Sequence, residues 1–191
     1  FGNIAAGTEH FGFWFETIGD ETTKNLKAFW YNEVHSSRHF AFTSYPPGWM
    51  PSGENIIQNL KVYRNNQWGV FLHVTRNLVF KDCVFADNGE NAVMINRGDD
   101  VRFERTTFIG QSQFAEEYAA CNLGLKGVNL HPGRLQEFDR AGVKRGTTIT
   151  DSSFETFGGD ACSKSLNVGA VSVPLIFNDK QVFWEAFNAP H

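Results

Sequence analysis

The feature that most constrains this chain is a set of residue columns that repeats every 23 positions. With Phe85 as origin, apolar residues recur at Val62, Phe85, Phe108 and Phe154, in steps of 23, 23 and 46. Two positions earlier stand Leu60, Cys83, Thr106 and Ser152, and five positions earlier stand Ile57, Phe80, Phe103 and Ile149. Three positions later come Asn65, Asn88, Gln111 and Phe157. Val70 with Leu72, and Val93 with Ile95, follow at eight and ten positions. Because several columns keep their chemistry together, the pattern is more than a chance spacing of Phe. A period in the range of about 20–50 residues denotes stacked units that bury their faces only against neighbours.

Within each unit the alternation is two-fold, as in Cys83 with Phe85 and Val93 with Ile95, which is strand rather than helix periodicity. Short strands divided by Asn-rich corners then wind into a coil whose successive rungs lie about 4.8 Å apart. Like residues stack on like: Phe80 on Phe103 and Asn65 on Asn88, with the Asn in left-handed corners bonding to the next rung. Small inward residues at Cys83, Thr106 and Ser152 leave room for the Phe column. Right-handed crossovers dominate parallel connections. The expected fold is therefore all-β, a right-handed parallel β-helix forming one domain over residues 1–191.

The step of 46 equals two coils, yet residues 112–146 fit the columns poorly. The simpler reading is one coil with two excursions, about 113–125 with a short helical turn and about 131–146 as a polar loop. "KGVNLHPG" (126–133) then supplies a strand with Val128 and Leu130 inward. At the start, Ala5 to Gly7 form a tight corner before a Phe11–Phe15 strand, and residues 32–44 read as another partial coil. "YPPGWMPSG" (45–53) is a Pro/Gly excursion that exposes Tyr45 and Trp49, and residues 170–187 supply the last strands.

Composition supports this reading and excludes others. Nineteen Phe and 18 Gly with only six Pro favour strands joined by many turns. A net charge of −4, from 17 basic and 21 acidic residues, gives no footprint for nucleic acid or an anionic membrane. No apolar run approaches the roughly 20 residues of a membrane span. The chain has neither a signal peptide nor a starting Met, and is expected to be a piece of a longer protein with flanking domains. Three Cys, at 83, 121 and 162, form no zinc pattern and allow at most one internal bridge. No Asn begins an N-glycosylation sequon.

Several motifs occur together in order: "AAGTEHFGFWF", "VHSS", "VYRNNQWGVFL", "CVFADNG", "FIGQS", "KGVNL" and "TTITDSSFETF". In these the chain resembles the β-helix region shared by the cell migration-inducing hyaluronan-binding protein, transmembrane protein 2 (a cell-surface hyaluronidase) and fibrocystin-L. The likeness runs from about Asn3 to Trp184. It implies an extracellular or cell-surface setting and a link to acidic polysaccharides such as hyaluronan. Depolymerases and surface-coat proteins share that region, so the resemblance leaves catalysis open.

A glycan depolymerase needs either two carboxylates flanking a bond or a base with charge neutralisation, often by Ca²⁺. Asp87 beside the Asn corner and His131 at the root of the 131–146 loop are the catalytic candidates; Asp87 equally suits a corner cap. Asp99 and Asp100, in the "NRGDD" turn, could hold Ca²⁺ if the adjacent rung adds a carboxylate. Asp82 points outward. Arg102 and Arg105, with Arg64 on a nearby rung, would form a basic strip suited to glycan carboxylates. The alternative for these arginines is pairing with Glu104 and Asp82. Sugar rings pack on exposed aromatic faces, which makes Trp49 and Trp68 glycan-contact candidates, while Trp14 and Trp184 sit in apolar runs and read as core. The leading expectation is a non-enzymatic extracellular module that contacts an acidic glycan along a side groove. The alternatives are a hyaluronan-type depolymerase and a mechanical spacer without ligand.

Overall fold

The computed structural model describes residues 1–45, 48–112, 126–131, 146–157 and 169–172. The chain opens with β1 (Ile4–Ala6) and β2 (Phe11–Trp14), a 3₁₀ turn at Gly19–Thr23, and β3 (Phe29–Trp30). The second coil holds β4 (Glu33–His35), β5 (Phe40–Thr43) and β6 (Asn55–Gln58). Then follow β7 (Lys61–Tyr63), β8 (Trp68–Lys81), β9 (Val84–Ala86), β10 (Asn91–Glu104) and β11 (Thr107–Ile109). The last described strands are β12 (Lys126–His131), β13 (Thr147–Thr150), β14 (Ser153–Glu155) and β15 (Gly169–Ser172).

Every described pairing is parallel. One wall stacks in the order β1-β4-β7-β9-β11-β14. The long strands β8 and β10 serve two walls each. The first half of β8 pairs with β5 and its second half with β6, so these strands bend between the two partners. The bends fall at Val74 and Asn77 in β8 and at Asp100 in β10, all with positive φ. The expected turn at "NRGDD" is thus a bend inside a continuous strand. Three walls enclose one apolar interior, a parallel β-helix.

The registers follow the sequence columns. Val101 lies against Leu78 and Phe103 against Phe80. The Phe80 and Phe103 rings stack at 5.1 Å with 15° between planes. Phe85 stacks on Phe108, and Phe108 on Phe154. Thr107 pairs with Ser153, so the 46-residue step is one coil. Val128, fully buried, pairs with Val93, and Leu130 with Ile95, as the strand reading of 126–131 required. The excursion segments 113–125 and 132–145, and the expected strands beyond Ser172 with Trp184, lie outside the described residues.

The corner chemistry differs in one respect. Asn65 donates from Nδ2 to Asn88 Oδ1 at 2.7 Å, and Ser37 N donates to Asn65 Oδ1 at 2.9 Å, giving the expected buried amide ladder. The left-handed residues, however, are their predecessors Arg64 and Asp87, at φ 54° and 51°. A second left-handed column runs through Tyr31, Asn59, Asp82, Arg105 and Asp151. In both columns rung-to-rung hydrogen bonds hold conformations that carry a steric cost for non-glycine residues. Gly89 sits where a Cβ would come within 2.2 Å of the Asn66 carbonyl oxygen, so the "NG" of "FADNG" reflects a close approach of successive rungs.

The first coils are also larger than the rest. Paired residues differ by 29 from β1 to β4 and by 28 from β4 to β7, against 23 for the two rungs above. From β6 to β8 the difference is again 23, which places the added length in the second coil between Thr43 and Asn55. A matching enlargement lies between β2 and β3, and the two enlargements stack. Met50 N donates to Thr22 O, Ser52 N to Thr23 O, and Leu26 N to Asn55 Oδ1. Trp49 lies between them, 2% exposed, its ring stacked on Phe15 and its Nε1 donating to Lys24 O. The expected exposed Trp49 is therefore corrected. A loop seated on an equivalent loop of the previous rung has an inside, and Trp49 fills it.

Candidate functional site

Along the wall formed by β2, β5, the first half of β8 and of β10, and β12, one side-chain column faces the core: Phe42, Val70, Val93 and Val128, all fully buried. Neighbouring positions of the same strands carry a second aromatic system outside that core. Phe11 pairs with Phe40, and Phe40 with Trp68. Their rings stack at 5.6 Å and 4.8 Å. Beside them Trp14, Thr43 and Phe71 occupy one register column. None of the three ladder rings belongs to the core cluster, nor does Trp14.

The geometry decides which rings can meet a ligand face to face. In the Phe11–Phe40–Trp68 ladder each ring turns a face toward its neighbour, so edges are presented outward. Trp68 is held further by its Nε1, which donates to Glu90 Oε2 at 3.0 Å. Trp14 is tilted 56° from Phe11 and remains 49% exposed. Its Nε1 donates to the Tyr45 carbonyl oxygen, and the Tyr45 ring, 43% exposed, lies perpendicular to that of His73 at 4.7 Å. His73 in turn meets Asn96 Nδ2 through Nδ1 at 3.1 Å. Trp14 and Tyr45 are thus the projecting aromatic surfaces of this face, with Phe71 and the ladder beneath. Tyr45 is exposed as the sequence suggested. Trp14 corrects the expectation of a core residue: its neighbours Phe13 and Phe15 pack against the core, whereas Trp14 stands out of it.

Of the glycan-contact candidates, Trp68 alone joins this face. Arg102 forms ion pairs with Glu54, with Asp100 at 3.2 Å and with Glu104 at 3.9 Å. Arg105 donates from Nε and Nη2 to both oxygens of Asp82, at 2.8 and 3.0 Å. Gln58 also donates to Asp82, and the Arg105 fork holds the Asp82 carboxyl below the usual carboxylate range. Arg64 occupies a left-handed corner after β7, whereas Arg105 precedes β11 at the other end of the short strands. The three arginines form no common strip, and the pairing alternative is the one the structure displays for Arg102 and Arg105.

The candidate carboxylates Asp87, Asp99 and Asp100 are similarly occupied. Asp87 is buried and accepts from Ser112 N at 2.6 Å and from Ser112 Oγ at 2.7 Å, the geometry of a corner cap. His131 ends β12 opposite Asn96. Asp99 lies 3.6 Å from Arg76 Nη2, and its register partner on the rung below is Arg76 itself. The adjacent rung therefore brings a cation where a Ca²⁺ site required a carboxylate. Among the described residues no group of three His, Cys, Asp or Glu side chains could hold a metal ion.

Two other groups have shifted titration for structural reasons. Tyr63 donates to Glu33 Oε1 and stacks on His35, and that hydrogen bond pushes the phenol up to about 12. Burial pushes the Cys83 thiol up to about 12. Neither shift produces a base or nucleophile near neutrality.

Comparison with known proteins agrees with the architecture. Residues 29–132, more than half of the chain, match the family model of the right-handed β-helix region. A solved structure of a double mutant of the periplasmic alginate epimerase AlgG superposes with a TM-score of 0.54 at 11% identity, covering 80% of this chain and 35% of that chain. This protein thus spans about a third of that enzyme's length, and the likeness shows the fold alone. No curated protein matches the sequence. Among the described residues no helix is long and apolar enough to cross a membrane.

Proposed function

The chain belongs to the right-handed β-helix family, and on that premise we propose that it is a non-enzymatic polysaccharide-binding module whose contact surface is the outer aromatic face of the β2–β5–β8 wall. The observation that carries the proposal is the exposed aromatic cluster across three rungs, with Trp14 and Tyr45 projecting. Apolar surface in water costs about 25 cal/mol per Å², and contiguous exposed patches of it mark binding surfaces. Sugar C–H faces pack on such rings. A wall of repeated rungs presents a long surface to a polymer. The fold neighbour named as an alginate epimerase, and the resemblance to hyaluronan-linked β-helices, both support a polysaccharide as the partner. The setting that goes with this reading is extracellular or at a cell surface, within a longer chain. It assigns no role to Ca²⁺, and leaves Asp87 as a corner cap rather than a catalytic acid.

The test is retention of the purified chain on agarose beads carrying a panel of neutral and acidic polysaccharides, hyaluronan and alginate included. Viscosity and new reducing ends are followed in parallel. Saturable retention by at least one polymer is expected, with its loss in the Trp14→Ala/Tyr45→Ala double variant and no fall in viscosity. Retention by none of them would refute binding. A falling viscosity would replace the module with a depolymerase.

A further inference from the structure

Beside the Phe11–Phe40–Trp68 ladder runs a polar column, one residue earlier in each rung: His10, His39, Gln67 and Glu90. The His10 and His39 rings lie parallel, 5.3 Å apart with 5° between planes. Each meets the ladder ring that follows it, His10 against Phe11 at 5.9 Å and His39 against Phe40 at 6.2 Å. The corner that carries them is held by His39 N and Phe40 N, which both donate to the His10 carbonyl oxygen, at 3.3 and 3.2 Å. Phe11 in turn lies 5.4 Å from Trp14. The imidazole pair is therefore continuous with the aromatic face.

One contact sets where a proton goes. Gln67 Oε1 is an acceptor, 3.1 Å from His39 Nδ1, so Nδ1 carries a hydrogen. A further proton then goes to Nε2, which changes from an acceptor into a charged donor. The His10 ring is exposed, and its nitrogens have no hydrogen-bond partner among the described residues. The charged groups around the pair are Glu9 and Arg38, ion-paired at 3.0 Å, and Glu90, which accepts from Trp68 Nε1 at 3.0 Å. Arg64 and Asp87 stand where the adjoining wall ends, with Asp87 turned to Ser112. Imidazole is the side chain that ordinarily changes charge between about pH 5 and 8, whereas guanidinium and carboxylate groups do not. A further imidazole, His73, borders the face beyond Tyr45.

We infer that His10 and His39 form a subsite for the anionic group of an acidic polysaccharide, a carboxylate or a sulfate ester, and hold it more tightly as the pair takes up protons. The subsite belongs to the aromatic face and rests on the polysaccharide reading of it. Parallel rings on successive rungs bring two cations together, and an anion beside them offsets their repulsion, so ligand and proton favour each other's binding. Hydrogen bonds from an imidazolium to an anionic oxygen are charge-assisted and about twice as strong as neutral ones. Without the added protons the same nitrogens offer neutral hydrogen bonds, and sugar stacking on Trp14 and Tyr45 remains.

Depletion isotherms of the purified chain on polymer-bearing beads test this, at about pH 5.5 and about pH 7.5, towards either end of the imidazole range, and at one ionic strength. The beads carry alginate or hyaluronan for carboxylates, carrageenan for sulfates, and galactomannan as the neutral control. At least one acidic polymer is expected to bind about tenfold tighter at the lower pH, corresponding to about 1.4 kcal/mol, while galactomannan shows no gain. His10→Gln/His39→Gln should abolish the gain and leave the far-UV spectrum and the affinity at the higher pH as in the parent. His10→Gln alone should reduce the gain, and His35→Gln, on the β1–β4–β7 wall, should keep it. A gain that survives the double variant, as it would if His73 were responsible, would overturn the inference. Equal affinity at both pH values, a gain shared by galactomannan, or retention by galactomannan alone would also overturn it and leave the polysaccharide reading standing. Retention by no polymer at either pH would overturn both.

Discussion

Phe103→Ala is the perturbation whose size the structure fixes most closely. The Phe103 side chain is fully buried. Phe80 stacks on it at 5.1 Å, and Phe108 and Phe85 meet it edge-on at 5.5 and 6.4 Å. Truncation removes the apolar burial of one ring together with three aromatic contacts. The cavity cannot readily collapse, because β10 is hydrogen-bonded to β8 on one side and β13 on the other, which fixes the rung spacing around it. Core Phe→Ala changes cost about 3–5 kcal/mol, rising with residual cavity volume. Aromatic pairs add about 0.5–1.5 kcal/mol beyond area. We therefore expect about 4 kcal/mol. With a urea m-value of about 2–3 kcal/mol/M, that lowers the unfolding midpoint by about 1.3–2 M. Urea titration followed by tryptophan fluorescence reads it, with Lys61→Ala on the exposed outer wall as a control expected within about 0.5 kcal/mol. A loss below about 0.5 kcal/mol for Phe103→Ala would show that the ring does not lie between rungs, and the register would be wrong.

Trp49→Ala should cost about 3–5 kcal/mol by urea titration, since the ring fills the space between stacked loops; near-neutral stability would return Trp49 to the surface. The folded Cys83 thiol titrates near 12 against a usual 9, and the Tyr63 phenol near 12 against 10. The folded state keeps these protons longer than the unfolded chain, so their stabilisation is complete below about pH 9 and declines as pH rises toward 12. Thermal melts at stepped alkaline pH should show that decline, and Cys83→Ala should flatten it. Mass-spectrometric mapping after thiol labelling should find Cys83 unmodified in native protein and modified in urea; rapid native labelling would contradict its burial.

Much of the fold was legible because the upper rungs keep one length. Phe80 over Phe103, Asn65 over Asn88, and the small column of Cys83 and Thr106 could all be aligned at a step of 23. The lower rungs could not, since the enlargements after β2 and β5 lengthen their steps to 29 and 28. That offset hid the column joining Trp14 to Thr43 and Phe71, and with it the aromatic face. A search allowing unequal coils would have placed Phe11, Phe40 and Trp68 in register. Trp49 was misjudged because Pro and Gly neighbours suggest a loop tip, whereas a loop stacked on its equivalent buries what lies between them. The pairing of Arg105 with Asp82 was foreseeable from residues one coil apart. The choice between a basic strip and ion pairs was not, because it depends on which long side chains meet across rungs.

All of these statements rest on residues one coil apart lying side by side, and cross-linking tests that directly. Lys61 pairs with Val84, and Val84 with Thr107. Cysteines at 61 and 84, in a chain with Cys121 and Cys162 replaced by serine, should form a disulfide on mild oxidation, because adjacent strands lie about 4.8 Å apart. Cysteines at 61 and 107 are two rungs apart, about 9.6 Å, and should remain free thiols. Bridging of the second pair in place of the first would contradict the winding on which the aromatic face depends.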